Sequence, residues 1–427
     1  MDYIENFIKE LPEMKSGEEL IEELSIFPDY NDSIRQESQT VRLMRLSDLY
    51  RLYVPSNMST EIYAKLYLAL LRSLQKKGTQ AAVQQKYQNY NRIQNQEYRG
   101  ILGGSDSFTI IGTSGIGKSS AISRAIELIT ENRVIEIEEP YVKVIPCVVV
   151  QCPFDSSVKG LLLEILRKVD EELGSSYYKN AVRARATTDM LIGSVSQVAL
   201  NHIGMLIVDE IQNVVNSKNG KSLIGSLTQL INNSGISICM VGTPECNPFF
   251  EQAMQLARRS VGLQYQNMAY DAYFESFCKI LFEHQYVRNK TEITPAITEW
   301  LYEHSSGILS VVVSLIHDAQ EIAILNGKEI LDMEMLNQAY NQRLSFLHSY
   351  IQPAISQKKQ TSRPKKKNPV SKIDSVQEKD NECVSISDLA VRAKAENLDD
   401  KYHIKAAGQI QINERLYLII HRKYPSL

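Results

Sequence analysis

Short apolar runs alternate with stretches of helical spacing through the middle of this chain. Phe108–Ile111, Val144–Val150, Gly204–Val208 and Ile236–Val241 are the apolar runs. Runs of this length without strict alternation predict strands buried on both faces of a parallel sheet. Helical patterns fill the intervals, so residues 96–267 read as a β–α core. Pro146 has no N–H to give, and pairing of the second strand is expected to begin only at Cys147. From about 268 to 352 the strands stop. Tyr270–His284, Pro295–His304, Ile308–Leu325 and Met333–Leu347 predict a small all-helical domain, with Gly307 and Gly327 at helix edges. Residues 1–95 are expected to form a mostly helical N-terminal region. Turn signals stand at Pro12, Pro28 and Asn31-Asp32-Ser33, and helical spacing runs over Met44–Val54 and Thr60–Gln75. Residues 353–382, with Lys365-Lys366-Lys367 between Pro364 and Pro369, read as a basic disordered linker. Apolar spacing resumes over 383–427, as a small module or a segment that folds on a partner.

The first apolar run leads into Gly112-Thr113-Ser114-Gly115-Ile116-Gly117-Lys118-Ser119-Ser120, and Ala121–Ile129 then reads as a helix. Strand, G-x-x-x-x-G-K-S loop and helix together are the context of a phosphate-binding loop. Its glycines let backbone N–H groups aim at phosphate oxygens, and the helix turns its positive end to the same anion. Lys118 would reach the β- and γ-phosphates, and the Ser119 hydroxyl would ligate Mg²⁺. The chain is therefore expected to bind ATP with Mg²⁺.

Met205-Leu206-Ile207-Val208 ends in Asp209-Glu210. A buried strand closing on two acids places Asp209 on Mg²⁺ and Glu210 against an attacking water. The next run ends in Gly242-Thr243-Pro244. Thr243 can act as a sensor of the γ-phosphate or as a turn-stabilising hydroxyl, and both readings stand. Arg258 and Arg259 follow; an arginine offered across a subunit interface can stabilise a transferring phosphoryl group, and a solvated basic pair is the alternative.

Composition narrows the partners. The net charge is −3, from 47 basic and 50 acidic residues, so contact with nucleic acid must come from a local basic patch. Lys159 is one candidate, and Lys179, Arg183, Arg185 and Thr187 form another, with ordinary helix-surface charge as the competing reading. Tyr87, Tyr90 and Tyr98 interleave with Lys86, Arg92 and Arg99, which suits base stacking or a helix with a mixed surface. None of the six cysteines forms a C-x-x-C pair, which predicts no zinc site and a reduced compartment. No apolar run approaches transmembrane length and the N-terminus is acidic. The expectation is a cytoplasmic protein without a membrane partner.

The P-loop, the Asp-Glu strand end, the Thr-tipped strand, the arginine pair and the following helices together resemble an AAA+ ATPase. Ile207-Val208-Asp209-Glu210-Ile211-Gln212-Asn213, Gly242-Thr243-Pro244-Glu245 and Leu256-Ala257-Arg258-Arg259 resemble the TnsC/TniB family, AAA+ regulators of bacterial transposons. The resemblance covers about 95–350. It implies an α/β nucleotide-binding core with a helical lid, and ATP-bound subunits that assemble on duplex DNA as a hexameric or heptameric ring or a helical filament. It also implies a target-selector protein and a transposase as partners, hydrolysis that remodels or disassembles the polymer, and an arginine finger from the neighbouring subunit. Lys159 and the 179–188 segment fall where the family tracks the DNA backbone. One departure stands out. Where many AAA+ lids carry an arginine, this chain reads Ser306-Gly307-Ile308-Leu309-Ser310. A helicase loader, an initiator, a nucleotide switch that ignores DNA and a phosphotransferase are the other readings of such a core.

Overall fold

The computed structural model describes residues 3–93, 107–138, 141–215, 217–247, 250 and 262–345. Arg258 and Arg259, Tyr98 and Arg99, and the expected linker and tail over 353–427 lie outside the described residues. The chain divides into two compact units. Unit 1 comprises 1–27, 51–268 and 308–310; unit 2 comprises 28–50, 269–307 and 311–427. The first 95 residues are thus shared between the two units.

Unit 1 is built on a six-stranded sheet in the order β2-β3-β4-β5-β1-β6. The strands are β1 (Phe108–Gly112), β2 (Ile135–Glu138), β3 (Tyr141–Gln151), β4 (Ile203–Asp209), β5 (Ser237–Gly242) and β6 (Leu263–Tyr265). β3, β4, β5, β1 and β6 pair in parallel. The expected parallel sheet is mixed in one place, because β2 pairs antiparallel to β3. Only two residues separate β2 from β3, too short a link for a parallel crossover. β2 reads Ile-Glu-Ile-Glu with alternating burial, the period-two signature of a strand with one wet face.

The sheet has an apolar layer on each face, as parallel strands require. Successive residues of β4 take opposite sides: Leu206 and Val208 join one core, Met205 and Ile207 the other. β5 divides likewise, with Ile238 and Met240 on the first face and Cys239 and Val241 on the second. Each fully buried aliphatic side chain contributes about 1.5–3 kcal/mol relative to exposure. Helices α1 (Ile4–Ile8), α2 (Gly17–Leu24), α3 (Gln39–Arg45), α4 (Asn57–Lys77), α5 (Gln80–Ile93) and α6 (Lys118–Thr130) come first along the chain. α7 (Val158–Leu173), α8 (Tyr177–Arg183), α9 (Thr188–His202) and α10 (Gly220–Ser234) follow. Apolar residues of α7, α9 and α10 complete the first core, and those of α4 and α6 the second.

Pairing of β3 with β4 begins at Ile145, opposite Ile203, ahead of the expected start at Cys147. Gly204 packs closely on β3 beside Pro146: a Cβ there would lie 2.5 Å from the Pro146 carbonyl oxygen.

Unit 2 holds α3 and α11 (Ala272–Glu283), α12 (Pro295–Ser305), α13 (Leu309–Leu325) from Val311 onward, and α14 (Met333–Arg343). Asp271, Thr294 and Asp332 cap α11, α12 and α14 by accepting backbone N–H bonds. Segment 28–50 is fixed in this unit by Arg42. Its guanidinium donates to both Glu329 carboxylate oxygens at 2.6 Å and to the Tyr286 carbonyl at 2.9 Å.

Candidate functional site

β1, β3, β4 and β5 run parallel, so their C-terminal ends meet at one edge of the sheet. Open α/β sheets place their chemistry at that edge. β1 empties into the P-loop, β4 into Asp209-Glu210 and β5 into Thr243. Residues 90 positions apart in sequence are brought together there: the Ser119 hydroxyl lies 3.5 Å from Oδ2 of Asp209.

The P-loop backbone explains its residue types. Gly115 and Gly117 hold φ of 83° and 96°, in the region where a side chain is strained. Gly115 is also crowded. A Cβ there would sit 2.4 Å from Ser310 Oγ, and its carbonyl accepts the Ser310 N–H at 3.0 Å. Ile308–Ser310 belong to unit 1 with the loop. The stretch that carries no arginine thus meets the P-loop through its backbone instead. α6 begins at Lys118 directly after Gly117, turning its first N–H groups toward the loop.

The Lys118 ammonium donates to the carbonyls of Gly112 at 2.6 Å and Thr113 at 2.8 Å. Burial pushes its pKa below the ordinary lysine range, while the carboxylates of Asp209 and Glu210 pull the other way. Glu210 occupies the left-handed region at φ 56°, ψ 36°, a conformation costing a non-glycine residue about 1 kcal/mol. Its N–H donates to Asp209 Oδ1 at 2.8 Å. The Gln212 side-chain amide donates to Glu210 Oε2. Two buried polar atoms here have no protein partner, Thr243 Oγ1 and Gln212 Oε1. Unpaired buried polar atoms at the end of a sheet suit a polar ligand.

The residues fit a Mg²⁺-bound nucleoside triphosphate. Ser119 and Asp209 offer the oxygen ligands a hard cation takes. Lys118 and the positive-φ glycines offer cationic and N–H contacts to phosphate, and the Thr243 hydroxyl is uncommitted.

The sequence candidates for DNA contact lie elsewhere and are exposed. Lys159 stands in the first turn of α7, Lys179 and Arg183 on α8, and Arg185 in the left-handed region at φ 49° between α8 and α9. Thr187 caps α9, its hydroxyl accepting the Met190 N–H at 3.4 Å. Gln212 stands in the stretch quoted for the resemblance but carries no role there; only the fold shows its amide on Glu210. Among the described residues five cysteines are free thiols, and no single helix is long and apolar enough to cross a membrane.

Two solved structures from Aeropyrum pernix are similar to the chain. The ORC1 protein in complex with DNA is 13% identical with a TM-score of 0.42, over 61% of this chain and 64% of that one. The chain thus spans less than two thirds of its length. The ORC2 protein in its ADP form is 18% identical with a TM-score of 0.40, over 61% and 67% of the two chains. No curated protein matches the chain. Residues 104–267, which carry every P-loop, Asp-Glu and Thr243 position described above, match the family model for the bacterial TniB protein. Over those residues, 164 of the 427, the chain is similar to the TniB family.

Proposed function

We propose that this protein is an ATP-dependent, DNA-binding regulator of transposition. In this reading it assembles on duplex target DNA as a ring or helical filament and links a target-selector protein to the transposase. Hydrolysis of ATP then disassembles or remodels the assembly. The observation that carries the reading is the overlap of the TniB match with the site. The matched residues 104–267 include Lys118, Ser119, Asp209 and Glu210, which converge at one sheet edge.

Each residue has a part in that chemistry. Ser119 and Asp209 would hold Mg²⁺, which when bound neutralises charge on the phosphates. Lys118 exchanges the Gly112 and Thr113 carbonyls for phosphate oxygens, a stronger, charge-assisted pairing. Glu210 takes a proton from the attacking water, and the Thr243 hydroxyl supplies the hydrogen bond that nothing in the protein now uses. Arg258 or Arg259 of a neighbouring copy would complete the charge stabilisation. Lys159, Lys179, Arg183 and Arg185 would contact DNA phosphates, positioning the protein without reading sequence. Thr187 spends its hydroxyl on the α9 cap, so the four cations carry the larger share.

Negative-stain imaging of the protein with duplex DNA tests the reading. Rings or filaments on DNA are expected with a slowly hydrolysed ATP analogue and not with ADP. A protein that stays monomeric and off DNA with every nucleotide would overturn it.

A further inference from the structure

The loop between β3 and α7 presents Phe154, whose relative exposure of 91% is the highest of the large hydrophobic side chains among the described residues. An exposed aromatic ring is usually explained by a floppy loop, but this loop is braced on both sides. The Asp155 carbonyl accepts from Ser217 Oγ at 2.9 Å and Asn219 Nδ2 at 3.2 Å. Ser156 Oγ donates to the Asn213 carbonyl at 3.2 Å, and Asn213 Nδ2 donates to the Cys152 carbonyl at 2.9 Å. Phe154 therefore projects from a fixed platform made of two chain segments some sixty residues apart.

Two lysines and one acid stand on that platform, so its net charge is positive. Lys218 stands between the two residues that hold Asp155, and it is exposed; so is Lys159 in the first turn of α7. Asp155, also exposed, is the one acid within the loop, and its Oδ1 accepts the Ser157 N–H at 3.0 Å. An exposed aromatic ring on a hydrogen-bonded platform whose two chain segments each carry an exposed lysine suits a polyanion with apolar surface, and nucleic acid is that kind of partner. We infer that the Phe154 loop and the Ser217–Asn219 segment form one duplex-DNA contact, in which Phe154 gives the apolar contact and Lys159 and Lys218 the phosphate contacts. The inference rests on the DNA-binding reading above and adds Phe154 and Lys218 to it. The platform is continuous with the segment that carries Glu210 and Asn213, so DNA seated on the ring would bear directly on the hydrolytic end of β4.

Apolar and ionic contacts leave different salt signatures, and a salt series separates them. Binding of a labelled duplex is measured with a slowly hydrolysed ATP analogue for wild type, Phe154→Ala, Phe154→Trp, Lys159→Ala and Lys218→Ala. Phe154→Ala is expected to weaken binding about tenfold at every salt concentration, the loss of a partly buried aromatic side chain, with the slope against log salt unchanged. Phe154→Trp is expected to restore affinity. Lys159→Ala and Lys218→Ala are each expected to make the slope shallower by about 0.9. Wild-type affinity in Phe154→Ala, or an unchanged slope in Lys218→Ala, would overturn the inference while leaving the DNA reading intact. So would loss of self-assembly by Phe154→Ala without DNA present, which would assign the ring to a contact between copies. A wild-type protein that binds no duplex would remove the DNA reading itself.

Discussion

Gln212 donates its side-chain amide to Oε2 of Glu210, two residues back along the chain. The pair is held in place from below. A Cβ on Gly242 would lie 2.9 Å from Gln212 Oε1, so β5 ends in a glycine where the amide must lie close. Glu210 is already fixed in the left-handed region, and Gln212 fixes the remaining freedom of its carboxylate. In the proposed mechanism this makes Gln212 a positioning residue for the base.

Gln212→Ala is expected to lower kcat for ATP hydrolysis on the order of tenfold, through misplacement of the base. KM should stay near wild type, because the phosphate contacts are untouched. Gln212→Asn, one methylene short, should fall between. Steady-state kinetics check this, and an unchanged kcat with a raised KM would contradict it.

Thr243 offers a sharper separation of stability from activity. Its buried hydroxyl has no protein partner, so removing it forfeits no hydrogen bond in the fold. Thr243→Val keeps the shape and is expected to leave the unfolding free energy from urea melts unchanged or raise it, by at most about 1 kcal/mol. Turnover of ATP is expected to fall at least about tenfold, since a donor near the reacting phosphate is gone. A destabilised variant with normal turnover would assign the hydroxyl to the turn instead.

Lys77 makes stability depend on pH. It is buried at the C-terminus of α4, and its ammonium donates to the carbonyls of Ala199 and Leu200, each at 2.7 Å, at the end of α9. Burial, with the neighbouring charge of Lys86 adding to it, pushes its pKa well below the ordinary lysine range. The unfolded chain keeps this proton up to about pH 10.4, whereas the folded protein releases it earlier. Over that interval the unfolded state binds more protons, so stability rises with pH; the penalty reaches full size below the depressed folded pKa. Lys77→Met is expected to flatten the alkaline rise in unfolding free energy, as read from urea melts between about pH 7 and 10. Parallel curves for wild type and variant would contradict the assignment.

Arg42 is the corresponding element of unit 2. Its side chain is 1% exposed and its partner Glu329 17%. Removing one member leaves a buried charge unpaired, so Arg42→Ala is expected to destabilise unit 2 by about 3 kcal/mol or more. An apolar replacement of both residues should be milder than either single change. Thermal melts of the four proteins check this. Additive losses would show that the pair is not coupled.

The parts of this fold that announce themselves in sequence are those governed by local rules. β1, β4 and β5 are short apolar runs that end in chemistry-bearing turns, and each appears within a residue or so of its expected bounds. Helices α12 and α14 carry caps that can be read directly, at Thr294 and Asp332. β6 was missed because three residues paired only to β1 leave no periodic signal. The membership of segment 28–50 in unit 2 depends on Arg42 meeting Glu329, residues 287 apart, which no window along the chain can register. Around the site, the P-loop and Asp209-Glu210 were legible because each follows a buried strand. Gln212, Ser310 and Phe154 were not, because their roles exist only where separate loops meet.

In the proposed function, hydrolysis at Glu210 ends a DNA-bound state that ATP begins. The most direct measurement follows protein on immobilised duplex DNA after a limited supply of ATP, for wild type and Glu210→Gln. Both should load with ATP, because the substitution spares Lys118, Ser119 and Asp209. Wild type should then leave the DNA as ATP is consumed, while Glu210→Gln remains bound. Release of both at the same rate, or loading that ignores the nucleotide, would contradict the account.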